Sequence, residues 1–396
     1  MLPFKIATGP ARTLCEETLS VRRLPENFDE RDRILFGHEL NRVIPATQLL
    51  ELDHVNVNSD PIVFRAGRVL AESFGYRDQF IRWAKSRNLL KFFIRNYVFK
   101  SGQRLENKAL WIIDNWSSAY FHWLVDALPR LYVIRHQLAD STLLLPKSYE
   151  ASRYILPSLA PFTVGNIRFI GHNQVFHCRK LLVPSHTGPS GNYNESIVRH
   201  LRELYRNYYA GMQNVGSFDK IYISRSKARV RRIINETDLA AVLKERGFRI
   251  VVLEDYPFEQ QVKIVLNARY LVSNHGAGLT NMLFLPAGSN VFELRKCEDS
   301  HNNCYFTLAS ALGLEYYYQL CKPENPDEDA YSANIYVDLK LFRKNLELML
   351  ARDSVKAAAR AQRIRSAAPC APATELSRAR FPECDLVLHT SGYAQQ

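Results

Sequence analysis

The stretch Ser273-Asn274-His275-Gly276-Ala277-Gly278-Leu279-Thr280-Asn281 constrains this chain more than any other. It lies between two apolar runs, Ala268-Arg269-Tyr270-Leu271-Val272 and Met282-Leu283-Phe284-Leu285, and Pro286 closes the second. The first run reads as a buried strand. Gly276 and Gly278 flank Ala277 at a strand-to-helix junction, where backbone can approach a ligand closely. A helix starting near Gly278 aims unpaired N–H groups and a positive dipole end at an anion, most simply a phosphate. His275 is placed to add a hydrogen bond to that anion. The competing reading is a tight turn whose histidine is hydrogen-bonded only within the protein.

The surrounding pattern favours a ligand-binding sheet. Apolar runs at Lys220-Ile221-Tyr222-Ile223-Ser224-Arg225, Arg249 to Leu253, Tyr270 to Val272, Asn290 to Leu294 and Glu315 to Leu320 read as strands. Helical segments alternate with them: Asn235 to Arg246, stopped by Gly247, then Pro257 to Ala268, and Thr307 to Leu312. Strands alternating with helices in this way make a nucleotide-binding type of α/β sheet, which takes its ligand at the carboxyl ends of the strands. Arg225, His275 and Glu293 are expected at those ends.

The first half predicts another α/β layer. Leu110 to Ile113 reads as a strand, broken by Asp114-Asn115-Trp116-Ser117, with Ser117 or Ser118 expected to cap a helix over Tyr120 to Leu128. Pro129 predicts a kink or break nearby. His122 and Asp126 lie four apart and share a helix face. A carboxylate one turn from an imidazole holds its tautomer and raises its basicity, although such a pair also serves simply to tie a helix down. Leu143 to Leu145, Ile167 to Ile170 and Lys180 to Val183 predict strands, and Ser148 to Leu159 a helix. His186 to Gly191 reads as a loop, a candidate hinge or lid, and Asn194 as the cap of a helix to Tyr209. Residues 1 to about 60 carry little pattern. Asp60-Pro61 predicts a turn before a strand, and Phe80 to Tyr97 an aromatic-rich helix.

The formal charge of +12 suits anionic partners: nucleotide phosphates, an acidic glycan or an anionic membrane face. No nucleic-acid-binding module is recognisable, so nucleic acid is not expected. The seven cysteines show no metal-knuckle spacing and read as free thiols. Asp327-Glu328-Asp329 has DxD spacing, but its proline-flanked acidic setting reads as a solvated turn rather than a metal site. No apolar run reaches the roughly 18–20 residues that span a bilayer, and no long apolar region follows the N-terminus. These features predict a cytoplasmic protein, peripheral at most on the inner face of a membrane. Lys356, Arg360, Arg363 and Arg365 form a basic helix end, which suits solvent or anionic lipid. From Ser366 the composition turns aperiodic and predicts disorder.

Three blocks in order resemble glycosyltransferase family 61, the DUF563-type enzymes, whose members include bacterial capsule-synthesis proteins. The first is Tyr120-Phe121-His122-Trp123-Leu124-Val125-Asp126-Ala127-Leu128-Pro129. The second is Ile221-Tyr222-Ile223-Ser224-Arg225 with Arg231-Arg232 and Asn235-Glu236. The third is His275 to Asn281 with Phe284 and Val291-Phe292-Glu293-Leu294. The resemblance implies an α/β, GT-B-like fold in which two Rossmann-like α/β domains face each other across a cleft. An acceptor-side domain would cover 101–212, with 1–100 as its poorly legible N-terminal part. A nucleotide-sugar domain would cover 213–350, and 366–396 would be a disordered tail. The resemblance further implies inverting, metal-independent transfer, without cofactor, from a nucleotide-sugar donor to a glycan or lipid-linked glycan in surface-polysaccharide synthesis. His122 or Asp126 would be the base. Arg225, Arg232, His275, Gly276, Ala277, Gly278, Thr280, Asn281 and Glu293 would bind the donor. Two other readings remain open: a CoA-dependent O-acyltransferase built on His122-x-x-x-Asp126, and a non-catalytic nucleotide or glycan binder.

Overall fold

The computed structural model describes residue 6 and residues 11–85, 88–212, 218–299 and 302–366. The chain divides into a compact unit, Met1–Met349, and a remainder from Leu350. The helix Leu339–Ser366 is the last described element. The tail expected to be disordered lies, beyond Ser366, outside the described residues, as do the side chains of the basic cluster at Lys356 to Arg365.

The C-terminal half folds as its pattern predicts. Five parallel strands run in the spatial order Arg249–Val251, Lys220–Ile223, Tyr270–Asn274, Asn290–Lys296, Glu315–Pro323, and the short antiparallel strand Ile335–Tyr336 closes the edge. Their centres are buried on both faces, which is why they read as continuous apolar runs rather than alternating ones. In chain order this is 2-1-3-4-5, a doubly wound arrangement whose switch point falls between Lys220–Ile223 and Tyr270–Asn274. The glycine-rich stretch follows Tyr270–Asn274 directly. Its helix, Ala277–Phe284, is a 3-10 helix rather than an α-helix.

The first half departs from its expected Rossmann-like form. Its nine-stranded sheet is mixed. Asn166–Ile170, Thr142–Pro146, Ala109–Leu110 and Gln174–Pro184 run parallel. The long strand Thr47–Asn58 then pairs antiparallel with Gln174–Pro184 and carries Val63–Arg65 beyond it. Thr47–Asn58 lies in the region where the sequence is hard to read: its burial alternates irregularly, so no clean period appears. Trp111 to Ile113 are fully buried but lie beyond the ladder of Ala109–Leu110. The expected helix from Ser148 to Leu159 is broken into the turn Lys147–Tyr149 and the short helix Ile155–Ser158.

The two sheets share one hydrophobic cluster, which includes Leu49, Leu144, Ile221 and Tyr318. The helix Glu195–Tyr209, capped by the Asn194 side chain on Ile197 N as expected, joins them. Tyr205 donates to Ser158 O of the first half while its ring lies 5.1 Å from that of Phe284 in the second. The N-terminal segment is no simple extension of the first half either. Asn27 bonds the backbone of Tyr318, and Phe36 packs on Tyr318 and Phe306. The halves therefore form a mixed α/β fold around two large sheets within one compact unit.

Candidate active site

The break before Tyr120 is built differently from the expected serine cap. Ala119 holds the N-cap position, and Ser117 Oγ bonds Asp114 instead. Asp114 also accepts from Trp116 N at 2.8 Å and pairs with His186 Nε2 at 2.8 Å. Burial alone would raise the Asp114 carboxyl, but the His186 hydrogen bond and charge, Arg130 and Trp116 N outweigh it and hold it at about 2. The irregularity required by Pro129 is a π turn, Trp123–Ala127, inserted before the helix Leu128–Val133.

That turn keeps His122 and Asp126 in contact. His122 Nδ1 lies 2.7 Å from Asp126 Oδ2, and Ser190 Oγ donates to the same oxygen at 3.0 Å. With Nδ1–H donated to the carboxylate, Nε2 is the ring atom left to take a proton. Trp116 packs against the imidazole with ring centres 4.9 Å apart. Ser190 comes from the predicted hinge loop, which the His186–Asp114 pair anchors.

A cavity of about 480 Å³ has His122 and Ser190 on one wall and Arg231, His275, Ala277 and Tyr305 on the other. It thus draws on both halves of the chain and sits at the carboxyl end of Tyr270–Asn274, beside the switch point. Tyr120 OH donates to Asn281 at 2.8 Å and pins the two walls together. His275 mirrors His122: its Nδ1 bonds Glu293 Oε1, and its ring lies 4.9 Å from that of Tyr305.

Several expected donor-binding residues have other work. Glu293 is the fourth residue of Asn290–Lys296, fully buried rather than at the strand end. Its oxygens are taken by His275 Nδ1 and Tyr316 OH, so it has none free for a ribose. Burial would raise its carboxyl, but His275, Arg295 and Tyr316 hold it below its ordinary value. It is the anchor of His275. Asn281 is spent on Tyr120 and on Gly278 O, and Thr280 is fully buried. Gly276 leaves room for the Arg225 guanidinium, into which a Cβ would run, and a Cβ on Gly278 would lie 2.9 Å from Ile223 Cγ2. Close approach, not unusual backbone angles, requires both glycines.

The arginine assignment also shifts. Arg225 donates through Nε to Arg231 O at 3.0 Å and through Nη2 to Val230 O at 3.1 Å, so it shapes the basic loop. Arg232 is exposed and outside the cavity. Its neighbour Arg231 lines the cavity instead. Arg231 has φ +56°, a left-handed conformation uncommon for a residue with a Cβ. Its carbonyl is held by Arg225 and by Asn274 Nδ2 at 2.7 Å, and its N–H donates to Ser332 O at 3.0 Å. Its Nε is buried and has no hydrogen-bond partner. Burial and then the nearby Arg231 charge push the Arg225 guanidinium down. Two adjacent cations with a buried, unused donor make a site suited to an anion. The sequence reading took Arg232 rather than Arg231, because only the left-handed turn distinguishes the two. Trp116, Ser190 and Tyr305 were likewise missed as site residues; an aromatic beside the His122 block was the one available signal.

Among the described residues, no group of three or more His, Cys, Asp or Glu is arranged to hold a metal ion. Asp329 Oδ1 accepts from Tyr331 N at 2.7 Å and stabilises an exposed turn.

Comparison with known proteins agrees with the three sequence blocks. The family model Glycosyltransferase 61 matches residues 120–292, a span that contains His122, Ser190, Arg231 and His275 of the cavity. The chain is 41% identical over 98 residues to the EGF domain-specific O-linked N-acetylglucosamine transferase of Drosophila melanogaster, covering 24% of this chain and 18% of that enzyme. It is 40% identical over 91 residues to the enzyme of the same name from Gallus gallus, covering 22% and 17%. The matched segment thus spans under a fifth of these relatives. Residues 120–292, which bring His122 and His275 into one cavity, match the model of glycosyltransferase family 61.

Proposed function

We propose that this glycosyltransferase performs a single in-line displacement, with inversion, on a nucleotide-sugar donor. The observation that carries the reading is one cavity holding His122, anchored by Asp126, opposite Arg231 with its unused buried Nε. His122 Nε2 takes the proton of the acceptor hydroxyl, and Asp126 stabilises the imidazolium that results. The acceptor oxygen bonds to the anomeric carbon as the bond to the diphosphate breaks, and the electron pair leaves on the phosphate oxygen. Arg231 meets that charge, with Ala277 and the backbone opening the 3-10 helix beside it. No step in this scheme calls for a metal. The relatives' names make activated N-acetylglucosamine the first donor to test, and a glycan or lipid-linked glycan is the proposed acceptor.

The test is calorimetry of the whole chain against nucleoside diphosphates and nucleotide sugars, followed by NMR of the product's anomeric configuration. Arg231→Gln is expected to weaken diphosphate binding roughly 10- to 100-fold, the worth of a charged hydrogen bond. Undiminished affinity in a folded Arg231→Gln protein, or a retained anomeric configuration, overturns the reading.

A further inference from the structure

Between Gln79 and Leu105 the chain carries seven Lys or Arg and no Asp or Glu. The segment starts inside the helix Arg77–Lys85, whose first turn holds one carboxylate, Asp78, and continues through the helix Asn88–Ile94 and a π turn, Arg95–Phe99. It has two apolar faces. The inner one is satisfied: Trp83 and Phe92 pack on a small aromatic core with Phe64, Phe74 and Phe80. Asn96 is buried and accepts from Asn58 at 2.9 Å. The outer face is not. Leu90 is 69% exposed, Val98 69% and Phe99 75%, with Ile94 and Tyr97 nearly half exposed. Leu90, Ile94 and Val98 recur every four residues, so they form one stripe. Arg82, Lys85, Lys91 and Arg95 are exposed around it. Of these, Arg95 has a loose ion pair with Asp60 at 3.8 Å.

An exposed apolar stripe with aromatic residues, with Lys91 and Arg95 on its own helix, Arg82 and Lys85 on the one before it, and only Asp78 and Asp60 to offset them, has the composition of a helix lying in the headgroup region of an anionic bilayer. We infer that this hairpin seats the protein on anionic lipid. Leu90, Val98 and Phe99 enter the acyl boundary, while Lys85 and Lys91 meet headgroup phosphates. A soluble acidic partner would match the cations but leave the stripe in water. A second copy of this chain would set cation against cation. No described helix is long and apolar enough to cross a membrane, so the contact is at the surface. The hairpin begins directly after Tyr76, which lines the catalytic cavity, so membrane seating brings that cavity close to lipid-borne acceptors. The inference does not depend on the proposed mechanism.

The experiment is co-sedimentation of the full chain with vesicles of phosphatidylcholine alone or mixed with phosphatidylglycerol. Binding is expected only to the mixed vesicles and is expected to weaken in high salt. The triple variant Leu90→Ser/Val98→Ser/Phe99→Ser is expected to lose at least tenfold in partitioning, and Lys85→Glu/Lys91→Glu a similar amount. Both should keep the parent's melting temperature, because the altered side chains are exposed. Phe99→Trp should show blue-shifted emission and quenching by brominated lipid on mixed vesicles. Failure of the parent chain to bind mixed vesicles at low salt overturns the inference. So does a triple variant that binds as the parent does, or a parent dimer that the triple variant converts to monomer without either binding lipid.

Discussion

Replacing Asp126 by Asn tests the division of labour between the carboxylate and the imidazole. The substitution keeps size and shape, and its amide oxygen can still accept from His122 Nδ1 at the native 2.7 Å. What it removes is the negative charge facing the imidazolium formed on proton transfer. The pair is sheltered, with side-chain exposures of 23% for His122 and 9% for Asp126. Two charges about 4 Å apart at an effective dielectric of about 20 attract by about 4 kcal/mol. The surviving neutral hydrogen bond returns about 1 kcal/mol, and solvent reaching the His122 edge trims the rest. A net loss of about 2–4 kcal/mol lowers kcat roughly 30- to 1000-fold. Initial rates at saturating donor should show this fall in kcat, with calorimetry giving nucleotide affinity within about twofold of the parent. His122→Ala should lose at least as much. If Asp126→Asn abolishes transfer while His122→Ala keeps a tenth or more of the parent rate, the carboxylate itself takes the proton. The assignment of His122 then fails.

The remaining predictions concern the support of the site. His275→Ala should destabilise the fold by about 1–3 kcal/mol in urea titration, because it removes one of the two hydrogen bonds to the buried Glu293 carboxylate and leaves Tyr316 to hold the other oxygen; no measurable loss would mean that Tyr316 and the Arg295 charge suffice. Gly278→Ala should cost about 1–3 kcal/mol through overpacking on Ile223, and Gly276→Ala a comparable amount, since its Cβ would push the Arg225 guanidinium off the Arg231 and Val230 carbonyls. Gly276→Ala should weaken nucleotide binding more, by loosening the Arg231 loop, and calorimetry that ranks the two glycines the other way contradicts this. Asp114 is held at about 2, below its ordinary 3.8. A depressed carboxyl contributes stability above its unfolded pKa and loses it as pH falls through the folded value. About 2 kcal/mol should therefore vanish between pH 4 and 2. Asp114→Asn should remove that part of the acid sensitivity measured by urea titration at each pH.

The second half was legible because a parallel sheet covered on both faces needs long apolar strands, and those runs stand out between helices with caps and glycine stops. The same logic put His275 at the end of Tyr270–Asn274. It misplaced Glu293, because strand ends are set by the ladder and the ladder runs on to Lys296. The first half was harder for a different reason. Thr47–Asn58 pairs with Gln174–Pro184, over a hundred residues away, so neither strand announces its neighbour locally. At the site, side-chain type marked His122, Asp126 and His275, since few arrangements place those groups at such spacing without chemical or structural need. Backbone decided the rest. Arg231 and Arg232 are adjacent and identical in type, and a left-handed residue held by Arg225, Asn274 and Ser332 turns the first into the cavity and leaves the second in solvent. Gly276 is required by that same arrangement, because the arginine that holds the loop passes over it. The glycine turn from which the reading began therefore acts at one remove: it admits Arg225, Arg225 fixes the loop, and the loop presents Arg231 to the cavity.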